Sequence, residues 1–74
     1  MTQDTASDTI EFLKKRIKKL SSQSLEHKMR LHDLAEELPI GWETIRDVAA
    51  ETYESYRALA EARAELSGAG GGGG

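Results

Sequence analysis

The sequence predicts an all-α protein built as an antiparallel, coiled-coil-like two-helix hairpin. Apolar residues recur at alternating spacings of three and four in two separate stretches, a period that places them on one face of a helix and on no single face of a strand. Between the stretches lie the only proline, Pro39, and a glycine two residues later. When the two stretches are folded back on each other at this point, their apolar and polar positions match.

The first helix is predicted over about residues 8–38. Asp8 and Glu11 have the spacing of a capping box, in which two side chains bond the free backbone amides at a helix start. We expect the preceding polar residues 1–7 to be disordered. Seven of the nine positions on the predicted seam, the stripe that faces the second helix, are aliphatic. The seam positions are Ile10, Leu13, Ile17, Leu20, Ser24, His27, Leu31, Leu34 and Leu38.

Residues 39–41 are predicted to form the turn. Pro39 has no amide donor and disfavours helical geometry at Leu38, while Gly41 permits a tight reversal. The second helix is predicted over about residues 42–67 and is followed by a flexible glycine-rich tail over residues 68–74. Its seam is shorter and less apolar than the first. The positions are Ile45, Val48, Thr52, Ser55, Leu59, Ala62 and Leu66.

The register of the predicted hairpin follows from the two seams, because facing residues have numbers that add to 79. Leu34 then faces Ile45, and Leu20 faces Leu59, so that both ends of the hairpin are apolar. The middle is polar on both helices. The polar pairs are Ser24 with Ser55 and His27 with Thr52.

A hairpin of this size is expected to need a second layer. It has only about 60 residues with which to build a core, and it has no cysteine for a disulfide or a thiolate metal site. One flank of the seam is charged, with Arg16 predicted to face Glu65 and Arg30 to face Glu51. The other flank is smaller and more apolar, so we expect a homodimeric four-helix bundle, or docking of a partner, to cover it. Its residues are Ser21, Lys28, Ala35, Trp42, Ala49 and Tyr56.

Charge is divided between the two helices. Residues 11–30 carry seven Lys/Arg against two Glu, and residues 42–66 carry six Asp/Glu against three Arg. The net charge of −3 argues against a general nucleic-acid binder. No apolar run reaches the roughly 18 to 20 residues that span a bilayer, and residues 1–4 lack a secretory pattern, so we expect a cytoplasmic protein.

The two histidines are the candidate metal ligands. A neutral imidazole at His27 would hydrogen-bond within the polar layer and fix the register, and the alternative is a metal or pH-sensing role at a dimer axis. His32 lies one turn from Glu36, a spacing that suits either a surface contact or a weak chelate. Carboxylate-bridged di-iron motifs are missing, and no nucleophile and base can be placed together. We therefore expect no metal, no cofactor and no catalysis.

Partner contacts are predicted at three places on the surface. Leu25, Met29 and His32 form an apolar stripe on the outer face of the first helix, extended by Phe12 and by Tyr53 of the second helix, and such patches tend to be functional. Flank residues Ala35, Trp42, Ala49 and Tyr56 are the second place. The third is the basic group Lys14, Lys15, Lys18 and Lys19.

The basic group has three interpretations. It is a solvated face of the helix, a site that docks on an acidic protein surface, or a site that binds RNA. Against RNA, the basic stretch lacks aromatic residues that could stack on bases. Trp42 is expected to plug the turn end of the bundle against Ala35 and Leu38.

The sequence also resembles a known family. The segment running from Leu31 to Pro39, continued by Gly41-Trp42-Glu43 and by residues 52–56, resembles the small Rop-like proteins encoded in nitrogen-fixation gene clusters. The resemblance covers about residues 10–66. It implies that the chain is a hairpin that dimerises into a four-helix bundle. It also implies that the protein is a non-catalytic nitrogenase-associated factor, which binds the molybdenum-iron protein or its cofactor-assembly machinery. The alternatives are a metal-binding bundle and a Rop-like RNA-binding hairpin.

Overall fold

The computed structural model describes residues 5–69, and it confirms the predicted antiparallel hairpin. Helix α1 spans Thr5–Glu37, and helix α2 spans Ile45–Ala69. A short 3-10 turn, Trp42–Thr44, leads into α2. The predicted N-terminal segment and glycine-rich tail lie partly outside the described residues, since residues 1–4 and 70–74 are not described. None of the helices within residues 5–69 combines the length and apolarity needed to cross a membrane.

Helix α1 begins one turn earlier than the capping-box spacing indicates. Because the helix starts at Thr5, Asp8 lies inside its first turn and is not the N-cap residue. A carboxylate in this position still stabilises the helix, because it lies near the partial positive charge of the helix N-terminus.

The turn ends α1 at Glu37 and reverses the chain within a few residues. The peptide bond between Leu38 and Pro39 is cis. The amide of Ile40 donates to the carbonyl of Glu37 at 3.0 Å, and the amide of Trp42 donates to that of Pro39 at 3.3 Å. Gly41 has a φ of +83°, in the left-handed region that other residues rarely adopt. Its carbonyl accepts the Thr44 hydroxyl at 2.7 Å.

We expect Gly41→Ala to lower the free energy of unfolding by about 1–2 kcal/mol, the cost of a left-handed conformation with a side chain. The new Cβ would also lie 3.1 Å from Leu34 Cδ1, so that the leucine would have to move. Gly68→Ala is the matched control, because nothing lies within 4 Å of its Cβ position and Gly68 is helical. That variant should be neutral or more stable by up to about 1 kcal/mol. Urea unfolding measures both, and equal effects would contradict the explanation.

The seam between α1 and α2 has the predicted register. The Ser24 and Ser55 hydroxyl oxygens are 2.9 Å apart, and the Thr52 hydroxyl donates to the carbonyl of His27 at 3.3 Å. Both pairs have residue numbers that add to 79. Among residues 8–69, the buried residues all lie on this seam, and they are Leu13, Ser24, Val48, Leu59 and Ala62.

The hairpin is a single layer of two helices, about 22 Å wide and 15 Å thick. Since a domain usually packs two layers around its core, a single hairpin leaves both broad sides of this layer open. Large apolar side chains are correspondingly exposed along the hairpin. They are Phe12, Leu25, Met29, Leu38, Ile40, Trp42, Ile45, Tyr53 and Tyr56.

Candidate interaction surfaces

The polar layer at the middle of the seam is satisfied within the hairpin. Ser24, only 1% exposed, contacts the Ser55 hydroxyl and also donates to the Ser55 carbonyl at 3.3 Å. Thr52 donates to backbone carbonyls, including that of Val48 at 2.8 Å. The predicted register role therefore belongs to the three hydroxyls. His27 contributes its backbone carbonyl, and the residue is half-buried and lines a shallow groove together with Glu51 and Glu54.

The candidate metal ligands are not gathered into a site. His32 Nδ1 lies 3.8 Å from Asp33 Oδ1, and both side chains are largely exposed. The imidazole thus approaches the adjacent aspartate and not the predicted Glu36. Within residues 5–69, no three His, Asp or Glu side chains are placed to share a metal ion.

One flank of the seam carries the charged contacts between the helices. Arg30 and Glu51 form the predicted ion pair at 3.1 Å, with both side chains substantially exposed. The second predicted pair, Arg16 with Glu65, is not formed among the ion pairs of residues 5–69. Exposed pairs of this kind contribute little stability, about 0–1 kcal/mol. This flank is the charged, solvent-exposed broad side of the hairpin.

The opposite flank, which we call the flank face, consists of Ser21, Lys28, Ala35, Trp42, Ala49 and Tyr56. Trp42 is 62% exposed and Tyr56 is 41% exposed, while Ala35 and Ala49 are also exposed. Small residues beside aromatic ones leave a surface on which another helix can approach closely. In a single hairpin the flank face is therefore open, and its covering by a second layer stays a prediction.

An apolar notch of about 120 Å³ opens at the turn end of the flank face. Ala35 lies on its rim, and the seam residues Leu38 and Ile45 line it together with Leu31 and Leu34. In the single hairpin Trp42 is 62% exposed and lines a separate shallow depression with Ile45 and Arg46. The predicted plug concerns the bundle, so it stays a prediction. The 3-10 turn moves Trp42 away from the position that an uninterrupted helix would give it.

The outer stripe of α1, Leu25, Met29 and His32, is exposed on the side away from α2, as predicted. Leu25 is 55% exposed and Met29 is 54% exposed. Tyr53, at 68%, is the most exposed aromatic residue of α2 and lies one turn from Ala49 and Tyr56. Tyr53 is thus closer to the flank face than to the outer stripe.

The basic group is exposed to solvent on α1. Lys14, Lys15, Lys18 and Lys19 are all exposed. Phe12 lies against Lys15, Arg16 and Lys19 in a shallow surface depression, so one aromatic ring does adjoin the basic residues. The ring precedes the basic stretch in sequence, and only the helical spacing of three and four residues brings it alongside.

Charge varies along the hairpin from one end to the other. Residues 14–19, at the open end, include five Lys/Arg and no acidic residue. Residues 31–48, at the turn end, include five Asp/Glu and one arginine. On α2, the pKa of Arg57 is raised by a hydrogen bond from its guanidinium to Glu54 and by the negative charges of Glu54 and Glu61. This guanidinium is exposed. The hairpin is therefore basic at one end and acidic at the other.

Comparison with known proteins gives one family and several relatives. The Rop-like family profile matches residues 8–70. A UPF0437 protein of Azorhizobium caulinodans is 53% identical over 77% of this chain and 83% of the relative. A UPF0437 protein of Trichormus variabilis is 51% identical over 88% of this chain and 76% of the relative. A UPF0437 protein of Frankia alni, named for the nifX-nifW intergenic region, is 49% identical over 77% of this chain and 76% of the relative. No solved structure matches significantly.

Proposed function

From the premise that this chain belongs to the Rop-like family, we propose that it is a non-catalytic accessory protein of nitrogen fixation that works by binding another protein. Its partner is the nitrogenase molybdenum-iron protein or the machinery that assembles the nitrogenase cofactor. The site of action is the cytoplasm. Family membership confirms the resemblance seen between Leu31 and Tyr56.

The observation that carries the proposal is the uncovered flank face. Trp42 and Tyr56 expose their rings there beside Ala35 and Ala49, and the apolar notch opens at its end. Exposed aromatic residues next to an unfilled apolar pocket are typical of the anchor points in protein interfaces. A surface of this kind binds helices and has no arrangement suited to a bond-breaking reaction.

The biological setting is supported by one relative in particular. The name of the Frankia alni protein places it between nifX and nifW. Since that relative is 49% identical to this chain over most of both proteins, we assign this chain to the same process. A nitrogenase component is then the partner class that fits both the setting and a protein-binding surface.

The free protein is proposed to be a homodimeric four-helix bundle. The same flank face serves both for self-pairing and for partner binding, so one contact replaces the other. A second hairpin would cover the apolar residues until the partner displaces it. In the complex with the partner, the hairpin binds as a single chain.

Affinity capture of the tagged protein from nitrogen-fixing cells tests this function. The unmodified chain should recover a nitrogenase component that mass spectrometry identifies. Tyr56→Ala should reduce that recovery at least tenfold, because it removes an aromatic anchor from the flank face. Met29→Glu reports on the outer stripe, and it should reduce recovery less than Tyr56→Ala.

Ala50→Glu is the control for a substitution on an exposed outward position of α2, and its recovery should equal that of the unmodified chain. Failure of the unmodified chain to recover any nitrogenase component would count against the proposed function. A larger loss with Met29→Glu than with Tyr56→Ala would move the binding surface to the outer stripe.

A further inference from the structure

One side of α1 carries an exposed aromatic ring among cations. Phe12, Lys15, Arg16 and Lys19 occupy positions i, i+3, i+4 and i+7 of the helix, so all four lie on the same side of it. They line one shallow depression, in which Phe12 is 63% exposed and the three cations are also exposed. We call these four residues the Phe12 stripe.

The Phe12 stripe lies on the charged broad side of the hairpin, opposite the flank face. Arg16 is two heptads before Arg30, so both residues lie along the same flank of the seam. Arg30 forms its ion pair with Glu51 on this side. A partner that covers the flank face therefore leaves the Phe12 stripe accessible.

The positive charge of the stripe is not neutralised within the part of the chain that the structure describes. None of the ion pairs between described residues involves Lys15, Arg16 or Lys19. Lys15 and Lys19 are also one helical turn apart, a spacing at which like charges destabilise a helix. Binding of a negatively charged group would therefore relieve repulsion within α1 without breaking an existing ion pair.

We propose that the Phe12 stripe binds an acidic helical segment of another protein. Carboxylates of that segment pair with Lys15, Arg16 and Lys19, and the planar guanidinium of Arg16 can bind one carboxylate through two parallel hydrogen bonds. An apolar side chain of the segment packs against the exposed ring of Phe12, which is otherwise in contact with water. This site goes beyond the proposed function, because it allows the chain to hold a second protein while the flank face is occupied.

The length of the stripe determines the length of the segment. Phe12 and Lys19 are separated by about 10 Å along α1. Two turns of a second helix cover this distance, and carboxylates three or four residues apart lie on one face of such a helix. The ligand is therefore a two-turn segment with several Asp/Glu and one apolar residue on the same face.

The carboxylates of α2 favour a short acidic segment over a nucleic acid or a lipid surface. The seam register, which the Ser24–Ser55 contact confirms, places Glu61 and Glu65 level with residues 14–18 of α1, and both glutamates are exposed. A phosphate backbone or a membrane that extends across both helices would bring its negative charges close to these carboxylates. A two-turn helix can dock on α1 alone. The single ring of Phe12 also offers little surface on which several bases could stack.

Two synthetic peptides test this site on the full chain. Both are fluorescently labelled, alanine-based helices of about 15 residues with glutamates on one face, and they carry either a leucine or an alanine among the glutamates. Fluorescence anisotropy in dilute buffer should show saturable binding of the leucine peptide. Arg16→Glu should raise its dissociation constant about tenfold or more, because an attraction becomes a repulsion. Arg46→Glu makes the same charge change at an exposed position near the turn, and it should alter the constant less than about threefold. Circular dichroism should show that both variants remain helical.

Phe12→Ala separates the apolar contact from the charged ones. It should weaken binding of the leucine peptide about threefold or more, and it should change binding of the alanine peptide less than about twofold. The difference between the two peptides isolates the contact between the phenylalanine ring and the leucine.

Four outcomes would overturn the proposed site. The first is a leucine peptide that does not saturate the chain even at millimolar concentration. Equal losses with Arg16→Glu and Arg46→Glu would show that only net charge matters, and equal effects of Phe12→Ala on both peptides would remove the apolar contact. Tighter binding of an RNA oligonucleotide of equal charge, or of vesicles with anionic lipid, would contradict an acidic protein segment as the ligand. Affinity capture with Tyr56→Ala tests the flank face separately, so failure of this site and failure of the proposed function give different results.

Discussion

Leu59→Ala is expected to unfold most of the protein at room temperature. Leu59 is 5% exposed and lies at the seam position predicted to face Leu20. Removing a buried leucine side chain costs about 2–5 kcal/mol, because transfer free energy is lost and a cavity remains. A hairpin with five buried residues among residues 8–69 has little stability to lose. Circular dichroism during urea unfolding measures the change.

Leu25→Ala is the matched control for this substitution. It removes the same atoms from the same helical environment, but Leu25 is 55% exposed on the outer stripe. Its effect should lie within about 0.5 kcal/mol of zero, as for most surface substitutions. A Leu25→Ala variant as unstable as Leu59→Ala would mean that the outer stripe is buried in the free protein, and the flank face would then not be its main contact.

Ala49→Glu is expected to abolish self-pairing while the hairpin stays helical. The substitution would place a charged side chain in the middle of the flank face, where the second hairpin of the proposed dimer would cover it. Burying an unpaired charge costs several kcal/mol, and about 2.7 kcal/mol already corresponds to a hundredfold change in the dissociation constant. We therefore expect the dissociation constant of the dimer to rise more than a hundredfold, as measured by sedimentation velocity over a dilution series.

Ala50→Glu controls for the added charge and for helix propensity. Ala50 is the next residue along α2 and is also exposed, but it points away from the flank face. Its dissociation constant should stay within threefold of that of the unmodified chain. Comparable losses in both variants would trace the effect to net charge, and self-pairing through the flank face would have no support.

Most of the fold could be predicted from the sequence because one pattern specifies it twice. The seam of each helix is visible as a heptad, and the polar Ser24 and Ser55 can pair in only one register. The structure confirms that register through their hydroxyl contact. The reversal of the chain could also be predicted, since Pro39 stops a helix and Gly41 can adopt the positive φ that it has in the structure.

The details at the helix ends were less predictable. The Asp8–Glu11 spacing marks a possible helix start, yet residues before it continue the helix to Thr5, because nothing in them forbids helical geometry. At the turn, the 3-10 geometry of residues 42–44 leaves Trp42 exposed. A heptad count assumes an uninterrupted helix, so it could not find this change.

The sequence predicts which residues belong to the interaction surfaces. Which of these residues lie next to each other can be seen only in the three-dimensional structure. Tyr53 was predicted to extend the outer stripe, and the structure places it nearer the flank face. The sequence pattern does not predict that Ile40 is exposed at the tip of the turn, because a lone apolar residue in a loop has no periodicity. The notch beside Ala35 depends on side-chain packing between Leu34 and Ile45, which a pattern cannot supply.

The fluorescence of the single tryptophan tests most directly whether the flank face is covered in the free protein. Trp42 belongs to this face by its heptad position, and it is 62% exposed in one hairpin. We predict that its emission shifts to shorter wavelength, and that quenching by acrylamide weakens, as the concentration of unmodified protein rises from nanomolar to high micromolar. Emission and quenching that stay those of a solvent-exposed tryptophan over the whole range would contradict a flank face covered by a second copy.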